Sequence, residues 1–151
     1  MSSPSAQAIK PAPYTVSNLA TARAVSVGYW ISTALVAFFF VSGGLAYALA
    51  VPDVVEGVTQ LGFPLYFTRM LGVWKVLGGF AILAPGLPRL KEWAYAGILF
   101  DLTGASVASA TMGAAIGAEW WHVVAPLFVA AIMVGSWALR PASRRLPGPA
   151  L

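Results

Sequence analysis

Two oppositely charged residues stand inside otherwise apolar sequence: Lys75 near the middle of the run Tyr66 to Ala84, and Asp101 within the run Ala94 to Gly117. An ionisable group at membrane depth costs roughly 2.5–3.5 kcal/mol on insertion scales, so such groups face a bundle interior and pair with one another. Lys75 lies nine residues from Ala84 and Asp101 seven from Ala94. At a rise of about 1.5 Å per residue, their levels on antiparallel helices differ by only about 3 Å. Gly72 and Gly79 share the helix face of Lys75, and Gly97, Gly104 and Ala105 share that of Asp101, so both charges fall on narrow, close-packing sides. The spacing predicts a Lys75–Asp101 pair between helices. Two roles stay open for it: a pair that only fixes helix register, or a ligand or proton site.

Two further polar residues are weaker candidates. Arg69 precedes Lys75 by six residues and lies roughly 120° around the helix from it; it either snorkels to the nearby headgroups or turns inward toward Glu119, His122 or Asp101. His122, beside Trp121, carries a ring suited to proton transfer near neutral pH, or is simply a polar group at a membrane edge. Beyond these the sequence offers little chemistry. It has no cysteine and one histidine, which removes a disulfide relay, a thiolate metal site and a c-type haem, and leaves a low-spin haem short of axial ligands. No Ser/His/Asp set, metal-ligand cluster or glycine-rich phosphate loop is present, so no metal site, intrinsic cofactor or self-sufficient catalytic motif is read from the chain. Trp74, Phe128 and Trp137 read as packing or lipid-facing residues rather than a cofactor cage.

The elements that would position these groups follow from composition. At 151 residues, 59% hydrophobic and 9% charged with mean hydropathy +0.78, the chain has too little polar surface for a soluble globule. Four apolar stretches are long enough to cross a hydrocarbon core, which needs about 20 helical residues: 28–50, 66–84, 94–117 and 120–139. They are apolar all round, unlike the alternating ten-residue segments of a membrane barrel. The expected fold is an all-α membrane protein, a four-transmembrane-helix bundle. Its positive charge of +4 forms no nucleic-acid patch. Lys10 and Arg23, then Arg89 and Lys91, then Arg140, Arg144 and Arg145 fall in alternate connections, while Asp53, Glu56 and Glu119 occupy the others. The positive-inside rule therefore predicts both termini in the cytoplasm and a multi-pass protein of the cytoplasmic (inner) membrane. Ala48-Leu49-Ala50 imitates a leader-peptide cleavage site, but the apolar run before it exceeds the roughly 7–15 residues of a signal core, so it reads as a retained first helix.

Between the spans the punctuation is legible. Residues 1–27 are rich in Ser, Ala and Pro and read as a disordered or interfacial segment, with Asn18 to Val27 able to form a short interfacial helix. Pro52-Asp53 followed by Val54, Val55, Val58 and Leu61 predicts a short amphipathic segment on the outer surface, ended by Gly62-Phe63-Pro64; the alternative is an irregular loop. Pro85-Gly86-Leu87-Pro88 closes the second span. Tyr29, Trp30, Trp93, Tyr95, Trp120 and Trp121 read as interface anchors, and of Phe38, Phe39 and Phe40 at least one must face lipid. The small residues Gly97, Gly104, Ala105, Ala108, Gly113 and Gly117 predict a close helix contact inside the bundle, with a homo-oligomer as the alternative use of the same face. Residues 140–151 form a basic cytoplasmic tail.

The runs Gly62-Phe63-Pro64-Leu65-Tyr66-Phe67, Leu71-Gly72-Val73-Trp74-Lys75-Val76-Leu77-Gly78, Pro85-Gly86-Leu87-Pro88-Arg89-Leu90-Lys91-Glu92-Trp93 and Phe100-Asp101-Leu102-Thr103-Gly104 resemble the DoxX-like family of small bacterial membrane proteins. The resemblance extends over roughly Val27 to Leu139. It implies a four-helix membrane bundle and an association with quinone-linked membrane oxidoreductases, and some relatives resemble assembly factors. No catalytic residue is carried over from the family, so Lys75, Asp101 and Arg69 stand on physical grounds alone. The expected function is an integral membrane accessory subunit that docks to oxidoreductase subunits and contacts quinone, with Lys75 donating to a quinone carbonyl and Asp101 exchanging a proton. A non-catalytic scaffold or assembly chaperone is the first alternative and a small transporter or proton path the second.

Overall fold

The computed structural model describes residues 16–116 and 119–146. The expected disorder near the start falls partly on residues 1–15, and the basic tail partly on 147–151, outside the described residues. Five α-helices follow one another: α1 Val16–Ala48, α2 Pro52–Gln60, α3 Leu65–Leu83, α4 Pro88–Ile116 and α5 Trp121–Ala138, with a 3₁₀ turn at Ala142–Arg144. The first helix runs through Asn18 to Val27 without interruption.

Helix ends are set by local chemistry. α1 stops in a Schellman turn: Val51 N donates to Ala46 O at 3.0 Å and Ala50 N to Tyr47 O at 3.1 Å, with Ala50 in the left-handed region at φ 55°. That position ordinarily belongs to glycine, which has no Cβ to clash. α2 begins with Pro52 at its first turn and Asp53 beside its positive end, and stops in the same kind of turn with Gly62 at φ 89°. Pro85 and Gly86, the latter at φ 71°, reverse the chain between α3 and α4.

α1 packs along α3, α3 along α4, α4 along α5, and α5 back on α1, while α2 lies against α3 and the end of α1. The core inside this ring is Val36, Ala37 and Phe40 of α1, Ile82 of α3, Tyr95, Ile98 and Leu102 of α4, and Ala130 and Met133 of α5. Thr33 and Tyr95 both share hydrogen bonds with Ser136, at 2.7 and 2.8 Å, so the polar atoms buried in that core answer one another. Tyr29, read as an interface anchor, is fully buried, whereas Phe38 and Phe39 face outward and Phe40 inward.

The small-residue contact expected on α4 is made elsewhere. A Cβ on Gly97 or Gly104 would meet nothing within 4 Å. Instead α1 and α3 cross with their backbones touching: a Cβ on Gly72 would overlap the backbone of Gly44 and Ala48, and one on Gly79 would lie 2.8 Å from Val41 Cγ2. Gly117 lies outside the described residues.

The four-span bundle is also corrected. Among the described residues two helices, α1 over Asn18–Ala48 and α5, are long and apolar enough to cross a membrane, not four. Arg69, Lys75 and three glycines dilute α3, and α4 carries Arg89, Lys91, Glu92 and Asp101 together with Thr103, Ser106, Ser109 and Thr111. Apolar run length alone overstates both, because mean hydropathy weighs these polar groups against the aliphatic ones. The outer faces of α1 and α5 remain strongly apolar, with Ile31, Leu35, Phe38, Val124, Phe128 and Val134 exposed. Such a surface belongs against lipid rather than water, and the protein is membrane-associated.

Candidate functional site

Lys75 reaches the bundle interior because α1 makes room for it: a Cβ on Gly44 would lie 2.8 Å from the Lys75 Cβ. From there Lys75 Nζ donates to Asp101 Oδ2 of α4 at 2.6 Å, with the two side chains 11% and 10% exposed. Two rings of α1 flank the ammonium, Phe40 at 4.8 Å and Tyr47 at 5.2 Å from ring centroid to Nζ. Aromatic faces present negative charge, so they favour the cation as the carboxylate does. Three helices thus meet at one polar point.

That point is the charged part of a cavity of about 610 Å³ between α3 and α4, whose wall includes Phe40, Trp74, Leu77, Gly78, Trp93 and Ile98. Its volume falls within the range of small-molecule sites, and its wall is almost wholly apolar. Trp74 and Trp93, 66% and 80% exposed, stand at its open side. Gly78 and Gly97, both lining it, put no side chain into that space. Chemically the arrangement offers an apolar cavity with one fixed ammonium donor and one carboxylate acceptor.

The other sequence candidates stand apart from this point. Arg69 is exposed and forms no ion pair among the described residues. His122 is exposed, stacked on Trp121 at 4.0 Å, with Nδ1 at 3.1 Å from the Glu119 carbonyl. The Glu119 carboxylate is taken by Trp121 Nε1 at 2.5 Å. Among the described residues no group of three or more His, Cys, Asp or Glu could hold a metal.

A second charged centre, at the end of the molecule where α1 begins and α5 ends, escaped the sequence reading. Lys91, expected in the connection between the second and third apolar runs, is fully buried. Its Nζ donates to Ile82 O at 2.9 Å, Ala81 O at 3.3 Å and Ala84 O, capping the last carbonyls of α3. These carbonyls carry the negative end of the helix dipole and have no partner within the helix. Burial, reinforced by the neighbouring Arg144 and Arg140 charges, lowers the Lys91 pKa to about 8. Arg140, 4% exposed, pairs with Glu92 at 2.7 Å. Burial works to raise the Glu92 carboxyl, but hydrogen bonds from Trp137 and Arg140 and the Arg140 charge outweigh it and hold the group below its usual value. The signal for Lys91 was present in Pro85-Gly86-Leu87-Pro88: a turn that tight folds the first turn of α4 back over the end of α3.

No curated protein and no solved structure matches the chain significantly. The DoxX-like family matches residues 31–136, a stretch that contains α2, α3 and α4 whole, most of α1 and α5, and both members of the Lys75–Asp101 pair. The chain belongs to the DoxX-like family.

Proposed function

We propose that this protein is a membrane accessory subunit that holds a quinone-type ring in the α3/α4 cavity and docks to a quinone-linked oxidoreductase. One observation carries the reading: an apolar slot of about 610 Å³ whose charged lining is Lys75 and Asp101. A quinone is a flat apolar ring with carbonyl oxygens at its rim, and when bound it would supply two-electron, two-proton chemistry, with electrons delivered by the partner. An ammonium has three protons. Lys75 shares one with Asp101 and has others to donate to a carbonyl oxygen, while Phe40 and Tyr47 hold the charge in place. Asp101 is the acceptor through which a proton would enter or leave. The apolar wall excludes water and strengthens both interactions.

The basic end, with Arg89, Lys91, Arg140, Arg144 and Arg145, belongs in the cytoplasm by the positive-inside rule, which places the start of α1 and the end of α5 there. A reporter fused after Leu151 and active only outside the cell would overturn that orientation.

The binding test uses the tryptophans at the mouth of the cavity. Titrating a short-chain quinone into the detergent-solubilised protein should quench Trp74 and Trp93 saturably, and Lys75→Met should raise Kd at least about tenfold, the loss of one charge-assisted hydrogen bond. Quenching that is absent, or equal in wild type and Lys75→Met, overturns the site. Native mass spectrometry of the protein released from its own membranes tests docking. Copurified oxidoreductase subunits support it, whereas a partner retained without any quinone binding favours the scaffold reading.

A further inference from the structure

The basic end of the molecule holds more positive charge than it neutralises. Arg140 is the one member of the cluster Lys91, Arg140, Arg144 and Arg145 that forms an ion pair among the described residues, with Glu92. Arg144 is held by neutral groups: Nη1 donates to Tyr29 Oη at 3.2 Å and Leu83 O at 3.4 Å, and its guanidinium lies 4.5 Å from the Trp30 ring centroid. Arg145 donates to the Arg140 carbonyl at 2.6 Å and the Ala138 carbonyl at 2.9 Å, and is exposed. Arg140 Nη1 is buried with no hydrogen-bond partner. The guanidinium groups are thus fixed in place by carbonyls and rings while most of their charge stays unanswered. Three tryptophans of the same end, Trp30, Trp93 and Trp137, are exposed, as expected where helices leave hydrocarbon for headgroups.

We infer that this end is a binding site for the phosphodiester headgroup of an anionic phospholipid, contacted by Arg144 and Arg145, with Arg140 and Lys91 supplying buried positive charge behind them. Guanidinium forks match phosphate oxygens geometrically, and the apolar outer faces of α1 and α5 offer tracks for the acyl chains. A lipid, rather than free phosphate, fits because the cations sit among exposed tryptophans at the ends of the two helices long and apolar enough to cross a membrane. The cations are separate from the quinone reading, since none of Lys91, Arg140, Arg144 and Arg145 lines the α3/α4 cavity; Trp93 borders both places.

The test is native mass spectrometry of the full chain in an uncharged detergent, titrated with phosphatidylglycerol or phosphatidylcholine and repeated with millimolar inorganic phosphate. Phosphatidylglycerol should be retained in preference to phosphatidylcholine and should not be displaced by phosphate. Arg144→Gln and Arg145→Gln should each weaken retention about fivefold, and the double variant about 25-fold, the contribution expected of one and of two cations at an anionic surface. Arg145 is exposed and bonds two backbone carbonyls, those of Ala138 and Arg140 where α5 ends, so Arg145→Gln should fold as wild type by circular dichroism; Arg69→Gln, at the opposite end, serves as the charge control. Equal retention of both lipids, unchanged retention in the folded Arg145→Gln variant, or an equal loss in Arg69→Gln overturns the inference. Displacement by inorganic phosphate overturns the lipid assignment and gives the site to a free anion.

Discussion

Replacing Lys75 by methionine leaves the Asp101 carboxylate without its hydrogen-bond partner at a site where only 10% of the side chain meets solvent. At 2.6 Å the bare attraction is about 6 kcal/mol for an effective dielectric near 20. Desolvation of both ions offsets much of that, so removal of one partner from a buried pair costs about 3–5 kcal/mol. The two halves of this pair are not equivalent. An orphaned Lys75 keeps the rings of Phe40 and Tyr47, worth about 0.5–2 kcal/mol, and in Asp101→Asn the amide oxygen still accepts its proton. Lys75→Met should therefore cost about 3–4 kcal/mol and Asp101→Asn about 1–2. The double variant should lose about 2 kcal/mol rather than the sum of about 5, a coupling of about 3. Unfolding in mixed micelles followed by far-ultraviolet circular dichroism, at fixed lipid composition, measures all four corners of the cycle. Additivity within about 0.5 kcal/mol, or single variants as stable as wild type, would refute the reasoning.

Gly72→Ala should destabilise by about 1–3 kcal/mol or prevent folding, since its Cβ would overlap α1 backbone, whereas Gly104→Ala, with open space around it, should be neutral or slightly stabilising; thermal melts in micelles separate the two. Ala50→Gly should stabilise by about 1 kcal/mol, because Ala50 holds a left-handed conformation at φ 55° that glycine adopts without strain. Lys91 has a folded pKa lowered to about 8 from its ordinary 10.5, so between those values the unfolded chain binds more protons. The Lys91 contribution to stability should rise with pH across that window, at no more than about 1.4 kcal/mol per pH unit, and Lys91→Met should lose this rise when melts are compared from pH 7.5 to 10. Arg69→Gln and His122→Gln should leave quinone quenching unchanged, because neither residue lines the cavity; a tenfold loss in either would place it at the site.

Sequence alone determined the elements whose signals are local. Pro52-Asp53 and Gly62 marked α2, and Pro85-Gly86-Leu87-Pro88 marked the α3–α4 turn, because proline and glycine act through their own φ angles and need no distant partner. The depths of Lys75 and Asp101 were equally legible, since helical rise is constant. The tertiary structure decided what depends on rotation and crossing. Which small residues touch is set by how helices turn about their axes, so the close approach fell to Gly44, Gly72 and Gly79 rather than to Gly97 and Gly104. Run length alone does not weigh the polar residues within α3 and α4, and two helices rather than four have the length and hydropathy to span. Lys91 looked like a loop cation, yet the turn before it delivers its ammonium onto the carbonyls ending α3. The cavity beside Lys75 is lined from two helices, with Gly78 of α3 and Gly97 of α4 both on its wall, a juxtaposition that one helix's sequence cannot encode without the other's packing.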